Sequence, residues 1–129
     1  MSENVNPVNW FEIYVDDIER AKDFYSTVLN KELTHMQVPE GAGGDMKMVA
    51  FPWIEGAINS SGALVKSSEM KPGTGGTLIY FSCEDCAQEE SRVERAGGKI
   101  LQAKFQIGEH GFCSICMDTE GNTFGLYSE

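Results

Sequence analysis

A short strand, an aspartate cap and an amphipathic helix occur twice in this chain, 68 residues apart, and this repeat constrains the fold more than any other feature. In residues 8–15, Phe11, Ile13 and Val15 fall on one face of a strand and Trp10, Glu12 and Tyr14 on the other. Asp17 then caps a helix over 18–29, with Ile18, Ala21, Phe24, Tyr25 and Val28 as its apolar stripe and Glu19, Arg20, Lys22 and Asp23 facing water. The same order returns at 77–83, Asp85 and 87–96, and Gly97-Gly98 stops the second helix. The offset also pairs Phe11 with Ile79, Ile13 with Phe81, and Leu33 with Leu101.

Each helix is followed by three short strand signals. They fall at about 32–38, 46–52 and 62–66 in the first half, and at about 99–105, 111–117 and 123–127 in the second. Gly41-Ala42-Gly43-Gly44, the stretch from Glu55 to Ser61, and the Asp118–Asn122 turn separate them. The expected architecture is therefore α+β: one domain over 1–129, made of two βαβββ modules at about 7–67 and 75–128, joined by the Gly/Pro-containing loop 67–76.

Three segments carry a resemblance over about residues 7–128: Val15 to Tyr25 at the first helix, Ala96 to Leu101 after the second, and Asp118 to Leu126 at the end. In this order, and with the internal repeat, the chain resembles the vicinal oxygen chelate superfamily, the glyoxalase, bleomycin-resistance and extradiol-dioxygenase group. The resemblance implies curled mixed sheets around a cavity that paired modules enclose, within one chain or across a dimer, and it implies a homodimer. Metal-using members carry a ligand, usually His, on the first strand of each module, seven residues before the Asp that opens the helix. They carry another, usually Glu, just before a Leu of the last strand. Here those positions are Trp10, Leu78, Ala63 and Gly125, none of which offers a side-chain donor suited to a divalent ion. The expectation is a member without the usual metal ligands, needing no cofactor.

Ten Lys and Arg against twenty Asp and Glu give a net charge of −10, which opposes nucleic-acid and anionic-membrane partners. With no long apolar run and no basic, apolar leader at Met1-Ser2-Glu3-Asn4, the expected location is the cytoplasm. The glycine-rich stretches lack the Lys-Ser/Thr and the following helix of a phosphate loop, and no nucleophile elbow is present. Cys83, Cys86, Cys113 and Cys116 formally make two CxxC pairs. Positions three apart on a strand point to opposite faces, so Cys113 and Cys116 cannot readily grip one ion, and free thiols are the preferred reading over a metal site or a disulfide.

Glu12 interrupts an apolar stretch, so on an enclosed wall it must be hydrogen-bonded, paired or protonated. Tyr14 and Tyr80 set hydroxyls beside flat apolar surfaces, which suits a small planar ligand. Trp10, Glu12, Tyr14, Trp53, Tyr80 and His110 are the candidate ligand-binding residues. His110 lies on a glycine-flanked turn, and His35 has the pattern of a structural or interface residue. Metal-independent binding of a small organic molecule, neutral or cationic, is the leading expectation. The alternatives are a lyase or isomerase using Glu12 or His110 for proton transfer, with or without an atypical metal arrangement, and a structural partner with no ligand.

Overall fold

A computed structural model describes residue 6 and residues 8–38, 45–75 and 78–129; the glycine turn expected at 41–44 and the last residue of the expected joint lie outside them. Strand β1 (Phe11–Tyr14) leads into helix α1 (Ile18–Leu29) and strands β2 (Thr34–Met36), β3 (Lys47–Ala50) and β4 (Gly62–Lys66). The second module repeats the order as β5 (Ile79–Ser82), α2 (Cys86–Val93), β6 (Lys99–Gln106), β7 (Phe112–Met117) and β8 (Thr123–Ser128). Both helices start as their sequences dictate. The Asp17 side chain accepts the Arg20 amide at 3.0 Å, and the Asp85 side chain accepts the Ala87 amide at 3.0 Å. Helix α1 closes on Asn30 in the left-handed region (φ 54°). Helix α2 ends at Val93, short of the expected Ala96, and the Gly98 amide returns to the Val93 carbonyl at 2.9 Å.

The strands form two mixed four-stranded sheets, ordered β1-β4-β3-β2 and β5-β8-β7-β6, with β1 parallel to β4 and β5 parallel to β8. The expectation that these sheets curl around a cavity is not met. Among the described residues, β1 and β2 remain opposite edges of one sheet and β5 and β6 opposite edges of the other, so neither sheet closes. Side-chain alternation reports which residues share a face, but closure requires bonds between edge strands that alternation does not encode.

One core joins the two halves. Tyr25, from the α1 stripe, packs its ring against Phe24, Phe51, Phe81 and Phe124 with centroids 5.0–5.7 Å apart, so one buried side chain touches both modules. Ile13, Leu64, Val93, Cys116 and Leu126 complete the same cluster. Close approach demands glycine at Gly62, where a Cβ would collide with the Phe11 carbonyl and ring.

All four cysteines are free, and β7 sends Cys113 and Cys116 to opposite faces as alternation requires. Burial, reinforced by the nearby Glu89 charge, pushes the Cys83 thiol up to about 12, and burial also raises Cys113 and Cys116. A thiolate fraction this small makes native Cys83 inert. Native protein at pH 8 is therefore expected to release little colour with a disulfide reagent, whereas protein unfolded in guanidinium releases four equivalents.

Candidate functional site

The helices cover one face of each sheet, and the opposite faces carry the residues that share parity with Trp10, Glu12 and Tyr14. Glu12 is level with Ala63 and Tyr14 with Val65 in the first sheet, and Tyr80 is level with Gly125 in the second. Between the two sheets the Phe11 ring of β1 touches the Phe81 ring of β5 (centroids 6.0 Å), and the Asn59 amide, from the loop before β4, donates to the Ser82 hydroxyl at 3.2 Å. A cleft of about 160 Å³ opens between the two sheets, lined by Glu12, Tyr14, Ile79 and Phe124, with Lys71 and Asn122 among its polar residues.

Glu12 is held from both sides. The Trp10 indole donates to Oε2 at 3.2 Å and the Tyr14 hydroxyl donates to Oε1 at 2.9 Å, so the three side chains share one face, as their spacing requires. Partial burial and the Glu12 carboxylate raise the Tyr14 phenol above its ordinary range, which keeps it a donor. Tyr80, half-exposed at 49%, lies flat over Gly125, where a Cβ would stand 2.5 Å from its ring. The ring therefore covers the spot from which a side chain at that family ligand position would project.

Not every candidate converges here: Trp10 meets the cleft only through its bond to Glu12, and Tyr80 stands outside the lining. Trp53 is 67% exposed and lines a separate shallow depression made by residues 52–61. His110 stays in the exposed turn before β7, where its carbonyl accepts the Tyr127 hydroxyl. His35 pairs with Glu19 at 2.8 Å on the surface.

The polar frame beneath the cleft comes from residues that the sequence marked only as a turn. Asp118 Oδ1 accepts the amides of Glu120 and Asn122, each at 2.8 Å, while Oδ2 accepts the buried Tyr25 hydroxyl at 2.7 Å and the Asn122 side-chain amide at 3.1 Å. Asn122 also donates to the Tyr14 carbonyl and accepts the Gly73 amide, both at 2.8 Å, tying the second-half turn to β1 and to the linker. Glu120, with its side chain buried, accepts the amides of Asp16 and Asp17 and forms a two-bond pair with Arg20 at 2.7 and 2.9 Å. Burial alone would raise its pKa. The Arg20 guanidinium, the Thr119 hydroxyl and the two amides outweigh that and hold it at about 2.

The resident metal of metal-using relatives does not fit this donor set. Trp10, Leu78, Ala63 and Gly125 occupy the corresponding positions, and among the described residues no three His, Cys, Asp or Glu side chains converge.

Comparison with known proteins agrees with the fold and leaves the chemistry open. Residues 8–126 match the family model of the Glyoxalase/Bleomycin resistance protein/Dioxygenase superfamily. The chain belongs to that superfamily. It is 25% identical over 124 residues to CFP32 of Mycobacterium tuberculosis and Mycobacterium bovis, a protein that carries a provisional glyoxylase name. That match covers 92% of this chain and 44% of CFP32, so the chain spans less than half the length of those relatives. Among solved structures, TnmS3, an antibiotic binding protein from Streptomyces sp. CB03234, superposes with a TM-score of 0.63 at 22% identity, covering 97% of both chains. Glyoxalase I from Zea mays superposes with a TM-score of 0.68 at 18% identity, covering 95% of this chain and 46% of the maize chain. These likenesses establish shared fold. Among the described residues, no helix is long and apolar enough to cross a membrane.

Proposed function

We propose that this chain binds a small organic molecule in the cleft between its two sheets, without a metal ion, and that two copies pair so that the open sheet faces enclose the ligand. One observation carries the reading. The four positions where metal-using relatives place ligands hold Trp10, Leu78, Ala63 and Gly125, while a single oriented carboxylate, Glu12, lines the cleft between donors from Trp10 and Tyr14. Such a wall supplies orientation and aromatic surface, which binding needs, and lacks the Lewis acid of a metal-assisted lyase. Glu12 and Tyr14, which line the cleft, form the proposed contact set together with Trp10 and Tyr80, which stand beyond its lining; Trp53 and His110 lie outside the cleft of one chain. The antibiotic-binding role of TnmS3 supports this reading by analogy of fold alone.

A W53F variant leaves Trp10 as the sole tryptophan and hence a fluorescent reporter beside Glu12. A small-molecule library screened on it is expected to yield binders whose affinity EDTA leaves unchanged. Binding that EDTA abolishes and Zn²⁺ or Ni²⁺ restores would contradict the proposal. Turnover that Glu12→Gln eliminates while affinity persists would favour proton transfer by Glu12 instead.

A further inference from the structure

The hydrogen bonds already made at the Glu12 and Tyr14 wall narrow what that wall can accept, while Lys71 and Thr123 bring donors elsewhere in the lining. The Trp10 indole N–H and the Tyr14 hydroxyl proton both go to Glu12. Both protons of the Asn122 amide go to the Tyr14 carbonyl and Asp118, and its oxygen is taken by Gly73. What the Glu12 and Tyr14 wall still offers is lone pairs on the carboxylate and on the phenol oxygen. A ligand at this wall must therefore bring donors of its own.

Charge and shape point the same way. The chain carries −10 overall, and Glu12 lines the cleft beside the phenol of Tyr14, a ring whose face attracts cations. Ile79 and Phe124 supply an apolar floor. Pockets that bury drug-sized ligands measure about 300–1,000 Å³. The part of the site that one chain supplies, about 160 Å³, seats a single ring with a short polar arm. Lys71 carries the one positive charge among the described lining residues, and it sits on the linker rather than on the Glu12 strand.

Building on the binding reading above, we infer that the ligand is a small planar organic cation bearing N–H donors, of the amidinium or guanidinium class, with its donors on Glu12 and Tyr14 and its ring against the aromatic wall.

Titration calorimetry with three one-ring probes tests this on the intact protein. Benzamidinium has charge and donors, benzamide has donors without charge, and phenyltrimethylammonium has charge without donors. Benzamidinium is expected to bind at least about tenfold more tightly than either of the others, as a charge-assisted hydrogen bond requires. Glu12→Gln is expected to reduce its affinity by about tenfold or more, with an unchanged circular dichroism spectrum because Glu12 is exposed. Lys71→Met is expected to hold or strengthen it. Equal or tighter benzamide binding, unchanged affinity in Glu12→Gln, or weakening by Lys71→Met would each overturn the ligand class. If no probe binds, the class also falls, and the library screen on W53F then decides separately whether the cleft binds anything.

Discussion

Replacing Asp118 by alanine is expected to lower stability by about 3–4 kcal/mol, because four donors lose their acceptor at once. The buried Tyr25 hydroxyl, the Asn122 side-chain amide and the backbone amides of Glu120 and Asn122 all end on this carboxylate. Burial first, and then the adjacent Asp118 charge, pushes the Tyr25 phenol well above its ordinary range, so it remains a donor with nowhere else to turn. For a chain of this length a loss of that size lowers the melting temperature by about 10–15 °C. Tyr25→Phe removes one of the four donors and keeps the aromatic packing, so its cost is expected to be about 1 kcal/mol. The double variant should cost less than the sum of the two, because the hydroxyl that Asp118→Ala orphans is already gone. Thermal melts of the three variants supply the cycle. A loss under about 1 kcal/mol in Asp118→Ala would contradict the placement of the turn.

Glu120→Gln is expected to cost about 2–3 kcal/mol at neutral pH and progressively less in acid. Glu120 is held at about 2 in the folded protein against an ordinary 4.5. A carboxyl with a lowered folded pKa contributes its full stability above the unfolded value and loses it as pH falls toward the folded one. A lowering of this size corresponds to about 3 kcal/mol. The gap between wild type and Glu120→Gln should therefore be widest above pH 5 and should narrow from pH 4.5 to pH 2. Urea melts across that range measure it, and parallel pH profiles for the two proteins would contradict the buried pairing with Arg20. Because Glu120 also accepts the amides of Asp16 and Asp17, the same substitution is expected to loosen the junction between β1 and α1.

The sequence revealed local elements well and their assembly less well. Helix α1 spans Ile18–Leu29 as its cap and apolar stripe indicate, and β4 spans Gly62–Lys66, since both signals lie within the segment itself. Strand β1 is shorter than residues 8–15, because pairing with β4 begins only at Phe11. Sheet curl was not legible, being decided by which edges find partners. In the site, alternation placed Glu12 and Tyr14 together. It could not show Asn122 reaching the Tyr14 carbonyl, or Lys71 reaching the cleft, because turn and linker residues have no period to read. Asp118 and Glu120 looked like ordinary turn residues, and Glu120 finds Arg20 across 100 positions of sequence with no local signal.

The central claim, metal-independent small-molecule binding by a paired chain, is met most directly by native mass spectrometry of freshly purified protein. A metal-free dimer is expected, with any retained adduct an organic molecule that collisional activation releases. One stoichiometric divalent ion per chain would contradict it and return Glu12, His35, His110 and the cysteines to consideration as ligands.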